Sequence, residues 1–268
     1  MKIVLVGSPG CGKSTLCPIL HEKYNICHLH PTSLLQEAAA MVHHSALSSE
    51  ARDLMHKDAP PQHIARDALV MHLAVDAIKH RSDCSQGFVL DGLPKTEEQA
   101  LILDKANIVP DAVVVLDMPH EDVLRRLTGR WIHKPSRRIY HDVYCPPRVV
   151  GEDDVTKEHL EQRPEDQKES VMKRITEYEE EVDTLTKFYT QTTHSGDAAA
   201  GAGGKKKKPD ASHRHMRNPP ITTLRMGDAP LHHLYEALSG VLDPIFKKDQ
   251  AHQLATSSGS WWARVWNR

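Results

Sequence analysis

The first apolar run of the chain, Lys2-Ile3-Val4-Leu5-Val6, is hydrophobic at successive positions, which predicts a strand buried on both faces. Helical spacing follows from Thr15 to Leu20, and residues 26–29 read as a second short strand. Apolar positions then recur at helical intervals over 33–56, through Leu34, Leu35, Ala38, Met41, Leu47, Leu54 and Met55. The pair Pro60-Pro61 interrupts this pattern, since neither residue can donate a backbone N–H, and the spacing resumes over 64–80. Residues 87–92 and 112–117 predict two further core strands, and 120–130 a helix with Val123, Leu124 and Leu127 inward. A long amphipathic helix is expected from Pro164, with Val171, Ile175, Tyr178, Val182, Leu185 and Tyr189 on one stripe. Residues 221–226 predict a strand and 231–242 a helix. Strands that alternate with helices in this way indicate an α/β chain with a parallel, doubly wound sheet.

Two stretches break the alternation. Residues 131–151 are irregular and polar, as expected of a small subdomain of turns and short strands that closes at Asp153-Asp154-Val155-Thr156. Residues 192–220 carry an Ala/Gly run and then Lys205 to Lys208, with no apolar period, which predicts a disordered low-complexity insertion and a solvated lysine run. The last residues hold Trp261, Trp262 and Trp266, and the pattern assigns no role to the tail from 246 to 268.

Composition narrows the setting. With 39% hydrophobic residues in 268, part of the chain is expected to lie outside a packed core. The net charge of −2 gives no general basicity for nucleic acid. Five cysteines, an odd number with no C-x-x-C pair, point to reduced thiols and a cytoplasmic protein. No stretch has the length of a membrane span or a signal peptide, and a monomer is expected.

The chemistry lies between the first strand and the first helix. Gly7-Ser8-Pro9-Gly10-Cys11-Gly12-Lys13-Ser14-Thr15 carries the spacing G-x-x-x-x-G-K-[ST] of a phosphate-binding loop. Its glycines let consecutive N–H groups turn around a phosphate at the positive end of a helix. Lys13 is placed to reach the outer phosphates and the Ser14 hydroxyl to ligate Mg²⁺. Asp91, ending a strand beside that loop, is placed to hold the metal through water. Arg126 and Arg130 are four apart and expected on one helix face. Arg174 lies close to the buried stripe of its helix and needs an anionic partner.

With these motifs in this order, the sequence resembles the adenylate kinases, P-loop nucleoside monophosphate kinases built of a core, an acceptor-binding segment and a lid. The resemblance rests on the loop with its proline, on Asp91-Gly92-Leu93-Pro94-Lys95, on Gly129-Arg130, and on Gly151 to Thr156 followed by Arg163, Asp166 and Arg174. It implies a three-layer P-loop NTPase fold with a core at 1–191 and 221–245, an acceptor segment at 30–62 and a lid at 130–163. It implies ATP and a nucleoside monophosphate, AMP first, as substrates, with Mg²⁺. Gly10, Cys11, Gly12, Lys13, Ser14 and Thr15 would hold the ATP phosphates. Arg130, Ile139, Tyr140 and Ala229 would hold the rest of the donor. Lys13, Arg126, Arg163 and Arg174 would act on the transferred group. On the acceptor side stand Thr32, Gln36, Gly92, Lys95, Gln99, Arg163 and Arg174. His133, Ser136, Asp153 and Thr156 match the family's polar lid, with Cys145 too few for a structural zinc.

The acceptor side departs from the family. Gln36 stands where an arginine would grip the monophosphate, and Lys95 replaces a second arginine, keeping charge without the bidentate fork. Arg52, Lys57 or Arg66 are candidate replacements. Besides a kinase of altered acceptor preference, two readings stand: a catalytically weakened nucleotide-binding regulator, and another P-loop small-molecule kinase. The intact arginine set favours the first.

Overall fold

The computed structural model describes residues 1–41, 46–56, 68–191, 219–225, 227 and 231–265. Its core is a parallel sheet in the order β2-β3-β1-β4-β7, formed by β1 (Lys2–Gly7), β2 (Cys27–Leu29), β3 (Phe88–Asp91), β4 (Ala112–Asp117) and β7 (Ile221–Arg225). Successive side chains of a strand face opposite ways, so Ile3 and Leu5 enter one core and Val4 and Val6 the other. Each fully buried Ile, Leu or Val contributes roughly 1.5–3 kcal/mol, which accounts for the unbroken apolar run at the chain's start.

The Val4/Val6 face is covered by α2 (Pro31–Ala40), α4 (Ala68–His80), α5 (Glu97–Lys105) and the later turns of α7 (Lys168–Gln191), with Ala51 of α3 (Ala46–His56). The other face is covered by α1 (Lys13–Tyr24), α6 (His120–Thr128), the first turns of α7 and α8 (Leu231–Val265). The chain runs from β1 out to β2, returns through β3, and crosses β1 to reach β4. That reversal makes the carboxyl ends of β1 and its neighbours the crevice of the fold. Among the described residues, no helix is long and apolar enough to cross a membrane.

Several boundaries differ from the sequence pattern. The helix expected over 33–56 is two helices, because Met41 leaves helical geometry at ψ 125°. Arg52 reaches back to donate to the carbonyls of Ala39 (3.1 Å) and Met41 (3.0 Å), so it is engaged with the end of α2. The helix expected to include Arg130 stops at Thr128, and Arg130 opens a strand instead. Pro164 opens a 3-10 turn, and α7 begins at Lys168. Helix α8 continues past Leu242 through Pro244. It is held there by Asp243, which accepts from Tyr24 (2.5 Å) and pairs with Lys23 (2.8 Å), and by Asp249, which pairs with the Met1 amine (2.8 Å). Burial together with that hydrogen bond pushes the Tyr24 hydroxyl up to about 12. Of the insertion expected at 192–220, only Pro219 and Pro220 lie within the described residues.

Cysteine usage needs a larger correction. Cys27 and Cys84 form a disulfide, with Cα atoms 4.8 Å apart, so not all thiols are reduced. The cause is tertiary. Cys27 pairs with Phe88 across β2 and β3, and the 3-10 turn Ser82–Cys84 lies immediately before that strand. Cys11 and Cys17 are buried free thiols and Cys145 an exposed one.

Residues 129–161 form a separate antiparallel unit around β5 (Arg130–His133) and β6 (Arg138–His141), tied back by the bridge between Ile132 and Glu161. Its centre is Asp153, fully buried. Arg138 grips that carboxylate with a fork (2.7 and 2.6 Å), Tyr140 donates its hydroxyl (2.9 Å), and Thr156 donates through its backbone (2.7 Å) and hydroxyl (3.0 Å). His133 contacts Ser136 and Glu158, both at 2.6 Å. The Arg138 fork, with the Thr156 and Tyr140 donors, holds the Asp153 carboxyl well below the ordinary carboxylate range despite its burial. A depressed acid contributes stability that is full above the ordinary unfolded-state carboxylate value and is lost progressively as pH falls from there through the depressed value.

Two outcomes follow. In the chain-entropy account, a bridge closing a 57-residue separation contributes about 4 kcal/mol. The urea midpoint of the same chain is therefore expected to fall on reduction, and an unchanged midpoint contradicts the bridge. For the antiparallel unit, Asp153→Asn is expected to raise amide exchange across 130–160 at pH 7 while the β1 amides keep their protection. Equal protection in both proteins would show that Asp153 does not hold the unit together.

Candidate functional site

The phosphate-binding loop leaves β1 at Gly7 and enters α1 at Lys13. Gly10 (φ 75°) and Gly12 (φ 98°) adopt the left-handed region that a side chain disfavours, and Gly12 caps α1. The loop is anchored by Ser8 N donating to the Leu116 carbonyl (3.0 Å). Lys13 Nζ folds back over it, donating to the carbonyls of Gly7 (2.5 Å) and Ser8 (3.0 Å). A phosphate above the helix N-terminus offers this ammonium stronger, charged acceptors. Ser14 and Thr15 follow on the exposed side of the turn, whereas the Cys11 side chain is buried.

The loop forms one wall of a cleft of about 1030 Å³, which Pro9, Gly10, Gly12, Lys13, Ser14 and Thr15 line. Arg126, Arg130, Arg163 and Arg174 line it from α6, β5, the turn before α7, and α7. Among the described residues, six cations, counting Lys13 and Lys95, face four carboxylates in the lining. The cleft is therefore suited to an anion.

Asp166 organises two of the arginines. It is fully buried and accepts a fork from Arg130, Nε at 2.7 Å and Nη2 at 2.5 Å. Arg174 Nη1 lies 3.9 Å from the same carboxylate and donates to the Glu165 carbonyl (3.2 Å). This is the anionic partner that the position of Arg174 demands. Burial draws the Arg174 guanidinium below its usual value, and Asp166 opposes that shift. Arg126 lies over the Tyr144 ring at 5.9 Å from its centroid. Ile139, 53% exposed, also lines the cleft, while its neighbour Tyr140 is buried with its hydroxyl on Asp153. Ala229 lies outside the described residues.

The lining also takes in His30, Thr32, Asp91, Gly92, Lys95 and the α7 residues Glu177, Tyr178 and Glu181, with Gly92 close to the Lys13 side chain. Lys95 Nζ donates to Glu181 (2.9 Å), so its charge is already partnered. Gln99 is fully buried and accepts from the Lys95 backbone (2.7 Å), supporting the loop from beneath rather than lining the cleft. Gln36 is exposed on α2 and outside the lining. Arg52 is engaged at the end of α2, and Lys57 and Arg66 lie outside the described residues.

Asp91 sits at the carboxyl end of β3 with its side chain in contact with His28 Nε2 (3.2 Å). Burial would raise its carboxyl. The His28 hydrogen bond and the charges of Lys13 and His30 outweigh that and hold it below the usual carboxylate range. Ser14 and Asp91 thus offer a hydroxyl and an ionised carboxylate in one cleft, a hard oxygen set that fits Mg²⁺.

Several lining residues escaped the sequence pattern. Glu177, Tyr178 and Glu181 follow Arg174 at i+3, i+4 and i+7, so a polar face at helical spacing was the available signal. His30 lines the cleft just past the end of a short strand, where a doubly wound sheet places its ligands, and His28 within that strand touches Asp91. Nothing in the local pattern marks His141 or Tyr144.

Comparison with known families agrees with this architecture. The profile of the family described as adenylate kinase matches residues 5–194, which is more than half of the chain and contains the loop, the arginines and the antiparallel unit. On the matched residues, the parallel sheet and the phosphate-binding loop, the chain belongs to the adenylate kinase family.

Proposed function

We propose that this chain is an ATP-dependent nucleoside monophosphate kinase that reversibly transfers the γ-phosphoryl group of ATP to an acceptor, AMP first, held with modest affinity. The observation that carries the reading is the shared cleft. It is lined by the phosphate-binding loop, by four arginines of which Asp166 fixes Arg130 and Arg174, and by Thr32, Gly92 and Lys95. Such transfer is catalysed mainly by positioning and by neutralising phosphoryl oxygens, and several convergent cations meet that need.

In this account the backbone from Gly10 to Thr15 receives the donor phosphates. Lys13 exchanges the Gly7 and Ser8 carbonyls for phosphate oxygens. Ser14, with Asp91 acting through water, holds Mg²⁺, which supplies positive charge and a template for the phosphates. Arg126, Arg130, Arg163 and Arg174 surround the group in transit, and Arg163 and Arg174 also face the acceptor phosphate. Residues 130–163 act as a lid that excludes water when donor is bound, with Ile139 against the nucleotide. The acceptor lies against Thr32, Gly92 and Lys95. The Cys27–Cys84 bridge removes the thiol argument for the cytoplasm, so no location is proposed.

The acceptor end also supports a second reading, a nucleotide-binding protein of weakened catalysis. Gln36 lies outside the cleft and Lys95 is spent on Glu181. Turnover decides between the two. ADP formation from ATP is expected with at least one of AMP, CMP, UMP and GMP, reduced roughly 10²–10³-fold in Lys13→Ala, the range found for a lost charge-stabilising donor. ATP binding with no acceptor-dependent turnover overturns the enzyme reading. Glu181→Gln, which releases Lys95, is expected to lower KM for AMP by about tenfold, the lower end for a hydrogen bond to a charged group. An unchanged KM would show that Lys95 does not hold the acceptor.

A further inference from the structure

Beneath the phosphate-binding loop lies a side-chain group that phosphoryl transfer does not require. Cys17 of α1, His28 of β2 and Asp91 of β3 bring a sulfur, an imidazole nitrogen and a carboxylate oxygen within 4.8 Å of one another. They come from three elements of the rigid core: α1 packs on both β2 and β3, and β2 pairs with β3. Cys17 is fully buried, Asp91 is 3% exposed, and the His28 side chain is 25% exposed. Asp91 reaches the cleft. The group therefore has a buried base and an open mouth.

We infer that Cys17, His28 and Asp91 form a binding site for a thiophilic divalent cation of the Zn²⁺ class. Cysteine, histidine and carboxylate are all zinc ligand types, and three protein ligands with a fourth position open is the pattern of a solvent-accessible zinc site. In tetrahedral coordination at zinc bond lengths of about 2.0–2.3 Å, neighbouring ligand atoms stand roughly 3.3–3.6 Å apart. The His28–Asp91 separation of 3.2 Å already has that size, and from the 4.8 Å limit the sulfur needs to close by about 1.5 Å at most. A sulfur ligand separates this site from the oxygen set that suits Mg²⁺, and the metal must displace a thiol proton that burial and the Asp91 carboxylate hold more tightly than usual. Binding forms a metal–sulfur bond and releases the Cys17 thiol proton to solvent. No electrons move.

Lys13 is the neighbouring cation that opposes a metal here, and its ammonium is drawn toward the Gly7 and Ser8 carbonyls. Asp91 belongs to both sites. On the proposed function, a cation bound at Cys17 withdraws it from Mg²⁺, and the loaded protein is an inhibited kinase. Binding itself does not rest on that reading.

The chain has nineteen histidines, so metal stoichiometry alone identifies nothing. Co²⁺ is the probe, because a thiolate ligand gives a sulfur-to-cobalt charge-transfer band that imidazoles do not. The full chain with its disulfide intact is titrated with Co²⁺ and then back-titrated with Zn²⁺. One equivalent of the band is expected, abolished by Zn²⁺, absent in Cys17→Ser, and shifted to more than about 100-fold higher Co²⁺ in His28→Gln, beyond the 10–100-fold cost of losing an outer partner. His28 is partly exposed, so His28→Gln tests the site even if Cys17→Ser fails to fold. No band in the folded wild-type protein, a band that persists in Cys17→Ser, or a His28→Gln titration equal to wild type overturns the inference. In the kinase assay, stoichiometric Zn²⁺ is expected to inhibit wild type and to spare His28→Gln. If the band behaves as expected and turnover is unaffected, the metal site stands and the role of Asp91 in transfer fails.

Discussion

A single buried carboxylate sets the geometry of the cleft. Asp166 is withdrawn from solvent, forks onto Arg130 and lies beside Arg174, so two guanidinium groups from different elements are fixed by one anion. Breaking such a buried pair costs about 3–5 kcal/mol, because an unpaired charge is left behind. The carboxylate therefore holds both arginines even in the absence of ligand. It also joins the antiparallel unit, which Arg130 opens, to α7, which carries Arg174. The cleft takes its shape from that joint, with the phosphate-binding loop of β1 and α1 as the facing wall.

The strand, loop and helix at the chain's start were legible because each rests on local chemistry. The apolar run in β1 is buried on both sides, and positive φ at Gly10 and Gly12 is what the glycine spacing requires. The four arginines were legible through family resemblance, and Arg174 through its place beside a buried stripe. Boundaries were less legible. The end of α2 is set by Arg52, eleven residues beyond Met41, and the end of α6 by the start of a strand at Arg130. The disulfide was hidden because Cys27 and Cys84 meet only after β2 pairs with β3. Gln36 and Lys95 were visible as departures, but the Lys95–Glu181 pair spans 86 residues and exists only once α7 is packed.

Cations and carboxylates share the cleft. Loop amides, Lys13 and the arginines line the same volume as Glu177 and Glu181, and Glu181 pairs with Lys95. On the proposed function each of these carboxylates opposes an incoming phosphate. On the proposed function, specificity is settled by how Lys95 divides itself between Glu181 and the acceptor.

The central claim is that the fork on Asp166 positions the charge that acts on the phosphoryl group. Arg130→Lys tests it most directly, since lysine keeps the charge and loses the fork. With the fold verified by an unchanged β1 exchange pattern, the account predicts that kcat falls at least about tenfold, the low end for a misplaced charge-stabilising group, while the Kd for ATP stays within about threefold. A wild-type kcat in Arg130→Lys would contradict it, because charge alone, without the geometry imposed by Asp166, would then suffice.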